Sequence, residues 1–208
     1  MAASREKLLT KIAEAFKDLA DSVNSPTPRL EVGRFASACR LLSPLIRCLG
    51  IAFKFADIEF SAKVNDLMEI SKSIDTLEAL IDRDIKDNCG KVSCSNSRNL
   101  IRVKRSVDMV RVMFQQILAR RGNSIIGPVS TAYEQVFGPY HGWAIRTAVS
   151  AAMYALPTKT QLLKKLNDNE ASAIVQMQNY VVASSSVVQY IDNLFHSRES
   201  GDELLGLI

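Results

Sequence analysis

A chain of 208 residues can bury one sizeable apolar core, and its 47% hydrophobic and 23% charged residues are ordinary for a soluble globular protein. A net charge of +4 is too small to argue for nucleic acid, and four cysteines in a chain this long do not make a disulfide scaffold. No apolar run reaches the roughly 18 residues of a membrane span, since Pro44, Arg47 and Lys54 interrupt the best candidate at 41–55, and residues 1–11 lack the apolar core of a signal peptide. These features predict a cytosolic protein with a single domain over residues 1–208.

Leu8, Leu9, Ile12, Phe16, Leu19 and Val23 recur at helical spacing until Ser25-Pro26-Thr27-Pro28 ends the segment. Val32, Phe35, Leu42 and Ile46 predict a second helix that Pro44 kinks or divides. Two more helices are predicted over 51–70 and 74–86, then a polar loop over 88–97. The next helix runs to about Arg121 and carries one apolar stripe through Leu100, Val103, Val107, Val110, Phe114 and Ile117. On another face Arg98, Arg102 and Arg105 stand four and three residues apart, and Met109, Val112 and Met113 continue that face. A helix apolar on two sides beyond its first turns is predicted to be buried there, with its cations left at one end.

After Gly127-Pro128 a short helix is predicted over 129–137, and Gly138-Pro139 separates it from another over 141–155. A short segment over 160–166 precedes a last helix over 170–195, where Ile174, Met177, Val181, Val188, Ile191 and Leu194 keep three-and-four spacing. The predicted fold class is all-α.

Glu59 and Lys63 are four apart in the order that favours an ion pair, and Ala52, Phe55 and Ala56 line the same face one and two turns earlier. Polar groups thus head an apolar stripe twice, a pattern that suits an anionic headgroup with a hydrocarbon tail. Arginine fits phosphate because its planar fork offers two parallel hydrogen bonds and stays charged. Lys104 projects away from the arginine face and is expected to be solvated. A lone histidine such as His141 is usually structural, and Trp143 is either a core residue or an interfacial one. Cys39 and Cys48 are expected to be structural thiols in apolar helical surroundings, and Cys89 and Cys94 to flank the polar loop.

No nucleophile with a nearby base and acid, phosphate-binding glycine loop or metal-ligand spacing stands out, so no enzyme, cofactor or metal is expected. Basic residues with interleaved aromatics are also lacking, which argues against a nucleic-acid partner.

Five stretches, 48–56 (Cys-Leu-Gly-Ile-Ala-Phe-Lys-Phe-Ala), 98–105 (Arg-Asn-Leu-Ile-Arg-Val-Lys-Arg), 141–146 (His-Gly-Trp-Ala-Ile-Arg), 153–157 (Met-Tyr-Ala-Leu-Pro) and 192–195 (Asp-Asn-Leu-Phe), resemble the glycolipid transfer protein superfamily. The likeness is greatest to its plant accelerated-cell-death branch, whose members transfer ceramide-1-phosphate. It implies a two-layer all-α sandwich with a surface headgroup site above a hydrophobic lipid pocket. In the sugar-binding branch a tryptophan stacks on the sugar where Arg102 stands here, and asparagine typically stands in place of Lys63.

By resemblance, Lys63, Arg98 and Arg102 grip the phosphate and His141 hydrogen-bonds the acyl-amide carbonyl. Glu59 occupies a position where the family usually has aspartate, which accepts hydrogen bonds from the ceramide amide and a nearby hydroxyl. Arg105 is expected as support, Asp57 projects from a different helix face, and Trp143 with Tyr140 is expected to dock the protein transiently on membranes. The implied function is ATP-independent intermembrane transfer of ceramide-1-phosphate, and the alternative is a non-transferring phosphosphingolipid sensor acting through a protein partner.

Overall fold

The computed structural model describes residues 7–87 and 95–198. Helix α1 (Leu8–Val23) buries Leu9, Ile12, Phe16, Leu19 and Val23, the stripe that its spacing predicts. The second predicted helix is two, α2 (Val32–Arg40) and α3 (Leu42–Cys48), and the break falls at Leu41 rather than at Pro44. A proline ring clashes with the carbonyl four residues back, here that of Arg40, so the helix must end ahead of it. Pro44 then sits in the first turn of α3, where no intrahelical partner exists for a backbone N–H.

A 3-10 turn at Ile51–Phe53 leads into α4 (Lys54–Ile70). Helix α5 (Leu77–Lys86) starts three residues later than predicted. Residues 74–76 instead pair with the chain before α2: the Val32 N–H donates to the Asp75 carbonyl (2.8 Å) and the Leu77 N–H to the Leu30 carbonyl (3.0 Å). Thr76 then caps α5 by accepting from the Ala79 N–H at 3.2 Å.

Helix α6 (Asn96–Ala119) buries its first predicted stripe, with Leu100, Val103, Val107 and Phe114 at 0% exposure, and on the second stripe buries Val112 and Met113 and half-buries Met109. Its start is tied down twice. Ser95 accepts from the Arg98 N–H at 3.1 Å, and the buried Asp84 carboxylate accepts from the Ser97 N–H at 2.7 Å and from Asn96 Nδ2 at 3.4 Å. Helix α7 (Ile126–Val136) begins three residues early, with Gly127 and Pro128 inside its first turn, and a 3-10 turn at Gly138–Tyr140 follows. Helices α8 (Trp143–Met153), α9 (Lys159–Lys165) and α10 (Glu170–His196) complete the described chain.

Helix α1 packs on α10 and α2, α2 on α4, α4 on α6, and α6 on α10, which closes a ring of helices around one continuous apolar core. Tyr180 stands at its centre, edge-on to Phe16 (4.8 Å) and Phe114 (5.5 Å), with its hydroxyl donating to the Val107 carbonyl at 3.0 Å. Lys104 is not a solvated surface lysine. Its ammonium lies 2.5 Å from Asp192 Oδ1 with the side chain 12% exposed, tying α6 to α10, because the neighbouring helix supplies a carboxylate there.

Helix α8 is packed differently from the rest. Among its residues only Met153 is buried, and an exposed ion pair from Arg146 to Glu134 (2.8 Å) links it to α7. Among the described residues, no helix is long and apolar enough to cross a membrane. The Cys39 thiol is pushed up in pKa by complete burial, so it stays a neutral hydrophobe, whereas Cys48 is half-buried. Cys89, Cys94 and the tail over 201–208 lie outside the described residues, as does most of the loop predicted over 88–97.

Asp84→Ala leaves the buried Ser97 N–H without its acceptor. Unfolding free energy in urea is expected to fall by about 2 kcal/mol. A loss under about 0.5 kcal/mol, the low end for a single hydrogen bond, would mean that this carboxylate does not hold the start of α6.

Candidate functional site

The buried face of α4 carries Phe60, Val64 and Leu67, and off that face Glu59 turns toward Arg102 of α6 while Lys63 turns toward Asp66. Glu59 Oε1 lies 3.9 Å from Arg102 Nη1, with the two side chains 68% and 36% exposed. One turn on, a single oxygen, Asp66 Oδ2, lies 3.9 Å from the Lys63 ammonium and accepts a hydrogen bond from Asn99 Nδ2 at 3.1 Å. Positive side chains thus stand on both helices of the α4–α6 contact: Lys63 on α4, and Arg102 with half-buried Arg98 one turn earlier on α6. The i,i+4 pair that spacing suggests between Glu59 and Lys63 gives way to these two contacts across the helices and along α4.

Asp66 and Asn99 are the members that sequence reasoning missed. Asp66 stands three residues after Lys63, and Asn99 directly after Arg98. Those positions follow from the sequence, but only the packing of α4 on α6 makes them neighbours. Asp57 is indeed on another face. It is buried, accepting from Ser43 Oγ at 2.5 Å and from Ser61 Oγ at 3.4 Å, and it joins α3 to α4.

Arg105 is not on an open face with the other two arginines. It is 5% exposed and lies under the Tyr140 ring, 3.3 Å from the centroid, where desolvation lowers its pKa and Tyr140 pushes it back up. Arg105 is therefore a buried cation set against Tyr140 rather than an open-face one.

His141 follows the 3-10 turn, stacked on Phe137 with centroids 5.4 Å apart and the rings 18° from parallel. Its Nδ1 lies 2.9 Å from the Tyr133 hydroxyl. Burial pushes the imidazole pKa below its ordinary value, the Glu59 carboxylate pulls it up and the Arg105 guanidinium pushes it down. The ring is therefore neutral at neutral pH and lies within reach of the charges of the site. Trp143 is 82% exposed, which rules out core packing. Tyr140 is 43% exposed and spends its ring on Arg105.

Beneath the cations, α6 continues as Val107, Val110, Met113 and Phe114, all buried in the common core. Side chains fill that core in this structure. A surface cleft of about 570 Å³ lies elsewhere, lined by Ala155, Leu156, Pro157, Gln161, Lys164 and Lys165. A second, of about 500 Å³, is lined by Thr27, Pro28, Arg29, Thr76 and Glu78.

Comparison with known proteins places the fold in a family. The family model described as glycolipid transfer protein matches residues 30–168. The accelerated cell death 11 protein of Arabidopsis thaliana is 52% identical over 197 residues, covering 94% of this chain and 96% of that protein. A crystal structure of a point mutant of that Arabidopsis protein, complexed with C12 ceramide-1-phosphate, superposes with a TM-score of 0.92 at 52% identity, covering 94% of this chain and 98% of the other. The lipid-free mouse ceramide-1-phosphate transfer protein shares the fold at a TM-score of 0.81 and 18% identity, over 96% of this chain and 98% of its own. An all-helical fold over nearly the full length, together with the match over residues 30–168, shows that this chain belongs to the glycolipid transfer protein family.

Proposed function

We propose that this chain carries ceramide-1-phosphate between membrane surfaces, as one lipid-transfer domain over residues 1–208 that works in the cytosol and needs no ATP. The observation that carries this reading is the placement of Lys63 and Arg102 on the two helices of the α4–α6 contact, each facing a carboxylate at 3.9 Å, above a buried apolar core. The Arabidopsis relative in complex with ceramide-1-phosphate supports it.

Charge sets the headgroup. At 3.9 Å and with side chains this exposed, each carboxylate contact contributes at most about 1 kcal/mol. A phosphate monoester brings a charge of about −1.5 to −2 and three acceptor oxygens. It outcompetes Glu59 for Arg102 and Asp66 for Lys63, with Arg98 completing the grip. Glu59 is then released to accept from the ceramide amide and a nearby hydroxyl, and His141 donates to the acyl carbonyl. A neutral sugar has nothing to offer the cations in exchange for their carboxylates.

The tails explain why a carrier is needed at all. About 25 to 30 methylenes at about 0.8 kcal/mol each place the cost of full exposure to water on the order of 20 kcal/mol. An apolar interior that admits the tails removes that barrier. Trp143 and Ile145 on α8 and Tyr154 just after it stand 50% to 84% exposed, and Ile51 in the 3-10 turn and Phe55 at the start of α4 about 80%. The two segments meet near the Gly50 turn, where an added Cβ would sit 3.4 Å from the Ala155 carbonyl oxygen. This apolar rim is the surface proposed to dock on the membrane, with Trp143 as its anchor and Tyr140 beside it. The cations bind the phosphate without cleaving it, so the protein is no enzyme.

In vesicle exchange, ceramide-1-phosphate is expected to move faster than galactosylceramide, and the reverse preference would refute the phosphate assignment. Tight binding with no net exchange would point to the lipid sensor instead. Arg102→Leu is expected to retain the fold by circular dichroism and to lose about 10- to 100-fold in transfer, the value of a charge-assisted bidentate contact. Equal transfer by that variant would remove Arg102 from the site. Glu59→Asp shortens the side chain by about a bond length, weakens its hold on Arg102 and is expected to speed ceramide-1-phosphate transfer about 2- to 5-fold. An unchanged rate and lipid preference would show that the extra methylene is immaterial.

A further inference from the structure

His141 is held more firmly than a surface histidine needs to be. Tyr133, on α7, is 4% exposed, and its neighbour one turn on, Phe137, stacks on the His141 ring. The His141 backbone N–H also donates to the Phe137 carbonyl at 3.2 Å. Backbone, stacking and the Tyr133 hydroxyl at 2.9 Å from Nδ1 together fix the ring in one orientation.

The direction of that last hydrogen bond decides which ring nitrogen carries the proton. A buried phenol must place its proton on an acceptor, and Nδ1 is the partner of Tyr133 in this structure. If Nδ1–H donated to the phenol instead, the phenol proton would be left buried with no acceptor. A phenol O–H donating to Nδ1 leaves the proton of a neutral imidazole on Nε2, across the ring and away from Tyr133.

We infer that Tyr133 is a positioning residue of the lipid site, whose hydroxyl holds His141 as the Nε2–H donor that an acyl-amide carbonyl requires. The identity of the recipient rests on the carrier assignment, whereas the tautomer does not. His196 provides a contrast within the same chain. Its Nδ1 lies 2.7 Å from the Asp192 carbonyl oxygen, which can only accept, so the proton there belongs on Nδ1.

The chain has two histidines, so both can be read in a long-range 1H–15N correlation spectrum of the full-length protein at about pH 8, where imidazoles are neutral. The expected spectrum shows His141 protonated at Nε2 with Nδ1 bare, and Tyr133→Phe shifts it toward a mixture of tautomers. A wild-type His141 protonated at Nδ1, or a tautomer unmoved in Tyr133→Phe, would overturn the inference. The wild-type spectrum decides the point even if the variant does not fold.

Ceramide-1-phosphate exchange between phosphatidylcholine vesicles supplies the second readout. Tyr133→Phe is expected to lower transfer about 3- to 10-fold in the wild-type background and to have no further effect in a His141→Gln background. Additive losses would mean that Tyr133 acts through something other than His141. Wild-type protein that moved no ceramide-1-phosphate would defeat the carrier assignment and leave the tautomer result standing.

Discussion

Helix α6 buries apolar side chains along its whole length while carrying cations on its remaining face, and that restriction sets where the rest of the molecule lies. Each valine or phenylalanine it buries contributes about 1.5 to 3 kcal/mol, whereas an unpaired guanidinium taken out of water loses several. The two demands are met by face and by partner, so Arg98 and Arg102 stay half-buried, Lys104 and Arg111 pair with Asp192 and Asp108, and Val107, Val110 and Phe114 fill the core. Arg105 lies one turn too deep for water. Its position is tolerated because the Tyr140 ring, 3.3 Å away, offers an electron-rich face in place of solvent. The caps from Ser95 and Asp84 set the register of these faces, since a slip of one residue would carry a cation into the core.

The interior under the cations is filled by side chains, and this is consistent with a pocket for hydrocarbon. Close-packed apolar side chains gain little from contact with one another that they would not gain from contact with a methylene chain. Admitting a tail exchanges one apolar neighbour for another while removing the tail from water, so the exchange is driven by the tail's own desolvation. What opposes it is the work of separating helices. On that scale α8 is weakly held, with one buried residue and a half-exposed ion pair to α7. The central helices are held by Tyr180 at the core and by the Lys104–Asp192 bridge.

Local pattern carried the helices well. The stripe of α1, both faces of α6, the long α10 and the cations at one end of α6 follow from spacing alone. Boundaries slipped where local chemistry outweighed periodicity: Pro44 excludes the Arg40 carbonyl and ends α2 early, and Thr76 caps α5 after residues that pair with the chain before α2. Partners across the fold were illegible for a different reason. That Lys104 meets Asp192, that Arg105 lies under Tyr140, and that one Asp66 oxygen serves both Lys63 and Asn99 depend on helix packing angles that no short window encodes. The assignment of Glu59, Lys63, Arg98, Arg102 and His141 to one site came from family resemblance, and the structure adds the geometry by which α4 meets α6.

That geometry bears directly on selectivity. Lys63 faces Asp66 and Arg102 faces Glu59, and Arg98 one turn before Arg102 leaves these five side chains with one net positive charge before any headgroup arrives. A site with unopposed cations would attract every anionic phospholipid surface and release its cargo slowly. Two carboxylates at 3.9 Å temper that attraction without abolishing it, because contacts so long and so exposed are readily displaced by a phosphate. In the proposed binding mode the same carboxylates repel the arriving phosphate toward α6, which would leave Glu59 next to the amide rather than the headgroup. In the proposed assignment the lipid must present both groups, a phosphate for the cations and an amide N–H for Glu59. A phosphoglyceride without the amide satisfies only the first, so the acid on α4 acts as a second filter on what the cations admit.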